Sequence, residues 1–157
     1  MPHLTADDLR QAFAAATQAL ESHREAINAL NVFPVPDGDT GTNMLLTMRS
    51  AMEKCPQAAD STLPEVAGGL ADGAFWGARG NSGVILSQFM KGFALAFEEV
   101  EVCRTSDLAR ALSLATDAAY LAVGQPVEGT MLTVIRSLSE SAQRFEGGDD
   151  ADPRVLW

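Results

Sequence analysis

What most limits the fold of this chain is how glycine, proline and aspartate cut it into six stretches of helical periodicity, with no alternating β-branched run long enough for strands. Thr5 and Asp8 stand three apart, as a capping box requires. They predict a helix running to about Leu30 with Leu9, Phe13, Ala16, Leu20, Ile27 and Leu30 on one face. Asn31 to Gly41 holds two prolines and two glycines and cannot continue that helix. A second helix is expected over about 42–54, burying Met44, Leu45, Met48 and Met52. A third is expected over 64–78, after Ser61-Thr-Leu-Pro64 supplies a cap and an early proline. The segment Gly80-Asn81-Ser82-Gly83 interrupts it as a loop, and a fourth helix runs on to about Glu99 with Ile85, Phe89, Phe93 and Phe97 spaced in fours. Thr105-Ser106-Asp107 caps a fifth to about Val123, and Thr130 opens a sixth to about Phe145. Short connections make neighbouring helices antiparallel, so the expected fold is all-α, an up-and-down helical bundle or barrel.

A chain of 157 residues with 46% apolar residues suits one domain with its own core, and no internal repeat or linker divides it. Lys and Arg number 11 against 21 for Asp and Glu, a net charge of −10. That charge repels nucleic acid and anionic lipid, so any phosphate must be held locally by backbone N–H groups, helix termini or a bridging metal. The acidic start, without an apolar stretch behind a basic flank, is no secretory signal, and no apolar run is long enough for a membrane span. A cytoplasmic protein with Cys55 and Cys103 as reduced, buried thiols is the expectation.

Three connections depart from what a turn needs. In Asn31-Val-Phe-Pro-Val-Pro-Asp37-Gly38-Asp39-Thr40-Gly41-Thr42-Asn43, two carboxylates one residue apart repel unless a cation lies between them, and hard oxygen donors on a short loop suit Mg2+ or Ca2+. The EF-hand pattern fails, since the twelfth position from Asp37 is Met48. The same residues also read as an ordinary turn with Asp39 or Thr42 as a helix cap, although the apolar, proline-rich lead-in favours a held site. Gly77-Ala-Arg-Gly80-Asn81-Ser82-Gly83 reads either as an anion cradle or as a helix–helix turn capped by Ser82; it is neither a Walker A loop nor a dinucleotide fingerprint, and no partner marks Ser82 as a nucleophile. Gln125-Pro-Val-Glu-Gly129-Thr130-Met131-Leu132 reads as a plain cap with Met131 in the core, or as an anion contact at Gly129 and Thr130 with Met131 against a planar ring. An even number of helices separates these connections, so in an antiparallel bundle all three reach one rim. There, carboxylates beside helix N-termini would make a nucleotide-phosphate site without a basic protein.

In these segments, running from Asn28 to Met44, Gly77 to Gln88 and Pro126 to Arg136, the sequence resembles the N-terminal nucleotide-binding domain of bacterial fatty acid kinase, which is similar to the ADP-binding L subunit of dihydroxyacetone kinase. The resemblance implies a barrel of eight antiparallel helices that binds ATP or ADP with Mg2+ at one rim. Asp37 and Asp39 match metal-binding aspartates on which catalysis depends, and Asn31 is the nearest match to the third ligand. Thr40, Thr42 and Asn43 match residues near the phosphates; Gly80, Asn81, Ser82 and Gly83 match the phosphate loop; and Gly129, Thr130 and Met131 match the loop beside the nucleotide. The implied function is transfer of the γ-phosphoryl group to a fatty acid on a lipid-binding partner, or to dihydroxyacetone on a partner subunit. A second copy joined through regions outside the chain is compatible with it. A nucleotide-holding or docking module without turnover is the rival reading. Against the eight helices of the resemblance the sequence offers six, and the Gly147–Trp157 ending reads as a cut within the domain, before a late Asp/Gly-rich segment that closes over the nucleotide.

Overall fold

The computed structural model describes residues 2–32 and 35–156. It contains six helices: α1 (Ala6–Ala29), α2 (Thr40–Lys54), α3 (Leu63–Gly77), α4 (Gly80–Leu95), α5 (Thr105–Leu121) and α6 (Met131–Gln143), followed by a short 3-10 turn at Pro153–Leu156. Among the described residues the only β pairing is one isolated bridge, Leu4 to Cys103. The all-α expectation holds. Among the described residues no helix is long and apolar enough to cross a membrane.

Local chemistry accounts for most helix starts. Thr5 and Asp8 cap each other reciprocally before α1, and Thr62 and Glu65 do the same before α3 with Pro64 in its first turn. Thr130 accepts from the Leu132 amide at the start of α6. Three starts differ from the sequence reading. Helix α2 begins at Thr40 because Asn28 on α1 and Asn31 just after it satisfy its first amides: Asn31 Oδ1 accepts from Asp39 and Thr40, and Asn28 Oδ1 accepts from Thr42. Asp39 sits at the cap position but makes no side-chain cap bond. Helix α4 begins at Gly80, so Asn81, Ser82 and Gly83 form its first turn rather than a loop, with Arg79 and not Ser82 as the cap. Helix α5 begins at Thr105, with Arg104 before it and Asp107 accepting the Arg104 amide.

Each helix packs antiparallel on the next, and α2 also packs on α4. The core runs through Leu9, Met48, Val66, Leu70, Met90, Phe97, Leu108 and Ala115. Phe93 stands at its centre, with ring centroids 5.9 Å from Phe13, 6.2 Å from Phe89 and 5.0 Å from Phe97. Phe97 is buried although α4 ends at Leu95, because tight turns carry the chain on over the core. Of the face proposed for α1, only Leu9 is fully buried, and Leu30 is 78% exposed. The cause is that α1 packs on α2 and, more lightly, α3, while no comparable packing joins it to α6. At the other end the Leu4–Cys103 bridge and an Arg154–Asp8 ion pair of 3.7 Å tie the α1 entry to α5 and the 3-10 turn. Both cysteines are buried and free, and burial first, then Asp107, pushes the Cys103 thiol up to about 12.

Candidate functional site

Two of the three connections interlock. The loop before α2 is fastened by Asn31, whose Nδ2 donates to Val35 O at 3.0 Å while its Oδ1 takes the amides of Asp39 and Thr40 at 3.1 and 3.2 Å. Both lone-pair directions of that oxygen are therefore occupied by amides. Asn28 adds a reciprocal pair, accepting from Thr42 N at 3.1 Å and donating to Thr42 Oγ1 at 3.0 Å. Gly41 makes this crossing possible, because a Cβ there would come within 2.5 Å of the Arg24 carbonyl oxygen on α1.

The start of α4 lies against the start of α2. Ser82 Oγ reaches Thr40 O at 3.4 Å, and Gly80, at φ +61°, packs directly over the Asn43 side-chain amide. Thr47, fully buried, locks the junction by donating to Asn43 O at 2.8 Å and accepting the Arg79 amide at 3.2 Å. Helices α2 and α4 run parallel here, so two helix N-termini lie at the same rim with Asp37 and Asp39 beside them; the first amides of α2 are taken by Asn31 and Asn28, and Gly80 and Asn81 leave the start of α4 exposed.

Asp37, Gly38 and Asp39 are exposed, with Gly38 at φ +67° turning the chain between the carboxylates. Neither carboxylate is engaged by a hydrogen bond or ion pair from another side chain among the described residues. No group of three His, Cys, Asp or Glu converges there or elsewhere among them. Two free carboxylates with room for water are the donor set that Mg2+ accepts when phosphate oxygens complete its shell. The residues present fit that ion. The lead-in does not pack as its apolar character suggests: Val32 is 75% and Val35 57% exposed, and Phe33 and Pro34 lie outside the described residues.

The third connection reaches the same end, since Val84 and Gln88 of α4 line a shallow groove with Leu121 and Ala122 at the end of α5. Its bonds, however, turn inward. Glu128 accepts from Thr133 Oγ1 at 2.7 Å, Arg136 Nη1 at 2.6 Å and Tyr120 OH at 3.3 Å, and Thr133 Oγ1 in turn accepts the Gly129 amide at 2.8 Å. The Thr133 hydroxyl, foremost, and Arg136 hold the Glu128 carboxyl below its usual range. Thr130 donates to Val127 O at 2.8 Å, and Met131 is half-buried. A surface concavity of about 500 Å3, lined by Pro56, Asp60, Glu65 and Asp72, lies at the opposite end and is open and acidic.

Sequence reasoning did not pick out Asn28, Thr47, Glu128 or Tyr120 as site-building residues. Asn28 and Thr47 act across 14 and 32 positions of chain, which no local pattern reveals. Glu128 and Arg136 are eight apart with the helix start between them, so helical spacing does not flag the pair.

Residues 34–156 match the family model described as the DAK2 domain. The chain is 46% identical over 128 residues to Protein YloV of Bacillus subtilis, covering 82% of this chain and 23% of that protein. It is 44% identical over 134 residues to an uncharacterized Staphylococcus saprophyticus protein, covering 85% and 24%, and 42% identical over 125 residues to an uncharacterized Staphylococcus aureus protein, covering 80% and 23%. The chain thus spans about a quarter of the length of these curated relatives. A match over most of the chain, together with the all-helical architecture, places it in the DAK2 domain family of nucleotide-binding, kinase-related modules associated with phosphoryl transfer of the dihydroxyacetone-kinase type.

Proposed function

We propose that this domain binds Mg·ATP at the rim formed by the starts of α2 and α4 and serves as the phosphoryl-donor half of a kinase. The observation that carries the reading is the Ser82–Thr40, Gly80–Asn43 and Thr47–Arg79 interlock, which sets the Asp37/Asp39 loop beside two helix N-termini. Exposed amides at the start of α4 favour anions, and paired carboxylates favour a divalent cation, so the two together suit a metal-bound polyphosphate in a protein of net charge −10. Magnesium, when bound by Asp37 and Asp39, would supply charge neutralisation at the β- and γ-phosphate oxygens. Thr40, Thr42 and Asn43, with Gly80 to Gly83, would orient the phosphates and hold the charge that builds on the transferring group. Asn31 keeps the carboxylate loop in register. Gly129, Thr130 and Met131 would lie beside the nucleotide.

The acceptor would come from a partner: a fatty acid held by a lipid-binding protein, or dihydroxyacetone on a partner subunit. Calorimetry with Mg·ATP tests the donor half. Asp37→Asn with Asp39→Asn is expected to weaken binding by about 100-fold or more, since both negative ligands are lost. Helicity should not change, because neither carboxylate holds the fold together. Affinity equal to the parent chain's would end the metal assignment. Transfer of phosphate from ATP to a fatty acid in the presence of the lipid-binding protein, compared with transfer to dihydroxyacetone with its own partner, decides the acceptor.

A further inference from the structure

Helices α4 and α5 lie antiparallel and in close approach. Gly92 makes this possible, because a side chain there would run into the Leu114 carbonyl and the backbone of Ala115. The same contact fixes the level of one helix against the other, since Gly92 stands opposite Leu114 to Ala118. Counting outward from it, Lys91 is level with Asp117, and to within about one turn Val84 is level with Leu121 and Leu95 with Leu114. A shallow groove of about 400 Å3 runs along the outer side of the pair, lined by Val84, Lys91 and Leu95 of α4 and Leu121 of α5. Leu114 and Asp117 share the outer face of α5 with Leu121, at helical spacing. Val84, Leu95, Leu114 and Leu121 are exposed, Leu121 by 87%. Each helix thus carries a second apolar stripe, turned away from the core and broken by one charge. Those charges, Lys91 and Asp117, make no ion pair or hydrogen bond among the described residues.

We propose that this groove binds a second copy of the chain in a twofold dimer, because the surface is its own complement. A twofold axis parallel to the helices sets α4 of one copy over α5 of the other without changing level. Val84 then meets Leu121 of the second copy, Leu95 meets Leu114 and Lys91 meets Asp117, and the symmetry makes every contact twice. An axis across the helices would instead set Lys91 on Lys91 and Asp117 on Asp117. The parallel axis leaves both candidate phosphate rims at the same end of the dimer. The patch is small: Val84 to Leu95 spans about 16 Å at 1.5 Å per residue, and two helices side by side are about 20 Å across. Each copy also carries a net charge of −10, which salt of about 0.15 M screens beyond about 8 Å without separating Lys91 from Asp117. The dimer is therefore a weak one, with a dissociation constant on the order of 10–100 µM. It does not depend on the nucleotide reading.

Sedimentation equilibrium of the full chain, from about 1 to about 500 µM, tests the dimer through a charge exchange. Lys91→Glu brings two carboxylates together at each crossing and Asp117→Lys brings two cations together, so each variant alone is expected to associate about tenfold more weakly than the parent. Mixed one to one, the two variants should form a heterodimer with an affinity near the parent's. In that pair the introduced carboxylate faces the introduced ammonium, and the remaining Lys91 faces the remaining Asp117. Pairing within one chain cannot produce that rescue. Both side chains are exposed and unengaged, so helicity should not change, which circular dichroism checks. Should either charge variant fail to fold, Leu121→Glu places a charge against Val84 and is expected to abolish association. A parent chain that stays monomeric across the range would overturn the proposal. So would a dimer that these variants leave intact, or one that the charge variants weaken without recovery on mixing.

Discussion

The junction between the starts of α2 and α4 and the loop before α6 lie at the same end of the bundle and are built on opposite plans. At the first, three helices hold one another: Asn28 and Asn31 reach from the end of α1 to α2, and Thr47 reaches from α2 to Arg79. At the second, everything comes from α5, α6 and the residues between them, gathered on Glu128. The first is therefore as stable as the packing of α1, α2 and α4. The second is a local latch, able to open while the core stays closed.

Glycine substitutions separate the two plans most strongly. At Gly41 an added methyl would meet the Arg24 carbonyl oxygen, a backbone atom that cannot move without shifting α1. Gly41→Ala is expected to cost about 2–3 kcal/mol, the range for overpacking a tight contact. At Gly129, φ is +80° but nothing lies within 4 Å of the added carbon, so Gly129→Ala should cost only the left-handed backbone term, about 1–2 kcal/mol. Urea unfolding of both variants gives the comparison. If Gly129→Ala proved as costly as Gly41→Ala, the loop before α6 would be part of the cooperative core and the distinction would fail.

Side-chain truncation gives a smaller, sharper contrast. Asn28→Ala strips the Thr42 amide and hydroxyl of their partner and should cost about 1–2 kcal/mol, as lost helix caps do. Because Asn28 belongs to α1, its loss should speed hydrogen exchange in the first turn of α2 and leave the Gly129 amide protected. Exchange that rose equally at both places would mean that the rim moves as one unit.

This contrast also marks what could be read from the chain alone. Contacts within a few residues were legible: the Thr5–Asp8 box, the Thr130 cap and the hydrophobic spacing that puts Phe93 and Phe97 in the core all appear in the structure. The Asp37-Gly-Asp39 pair and the glycine turn stood out because their residue types are costly to place without a reason, and the structure brings their two loops together. What escaped depends on distance along the chain or on missing neighbours. The caps of α2 come from Asn28 on α1 and Asn31 just after it, so local pattern places the α2 start two residues late. Gly80 to Gly83 reads as a loop because glycine is a poor helix former, yet close packing on Asn43 and Thr47 favours a helical turn with no side chain at Gly80 or Gly83. The apolar spacing that runs to Leu30 does not reveal that Leu30 itself is left exposed while α2 crosses α1 at Arg24 and Asn28.

Acid provides the mildest test of the two plans, because only one of them contains a titrating latch. The carboxyl of Glu128 is held below its ordinary value of 4.5, chiefly by the Thr133 hydroxyl and then by Arg136. Its folded pKa is the lower one, so its contribution is complete above pH 4.5 and fades as the pH falls through that depressed folded value. The amide oxygens of Asn28 and Asn31 do not titrate. Between neutral pH and 4.5, protection of the Gly129 amide should therefore stay constant. Below that it should fall, while the amides of Thr40 and Thr42 remain protected as long as the helices persist. Because Glu128 is exposed, solvent screening keeps this change small, and site-resolved hydrogen exchange is the suitable measurement. Glu128→Gln should abolish the pH dependence at Gly129 by starting from the open state. A Gly129 amide whose protection followed the same acid profile in parent and variant would show that something other than Glu128 holds the loop.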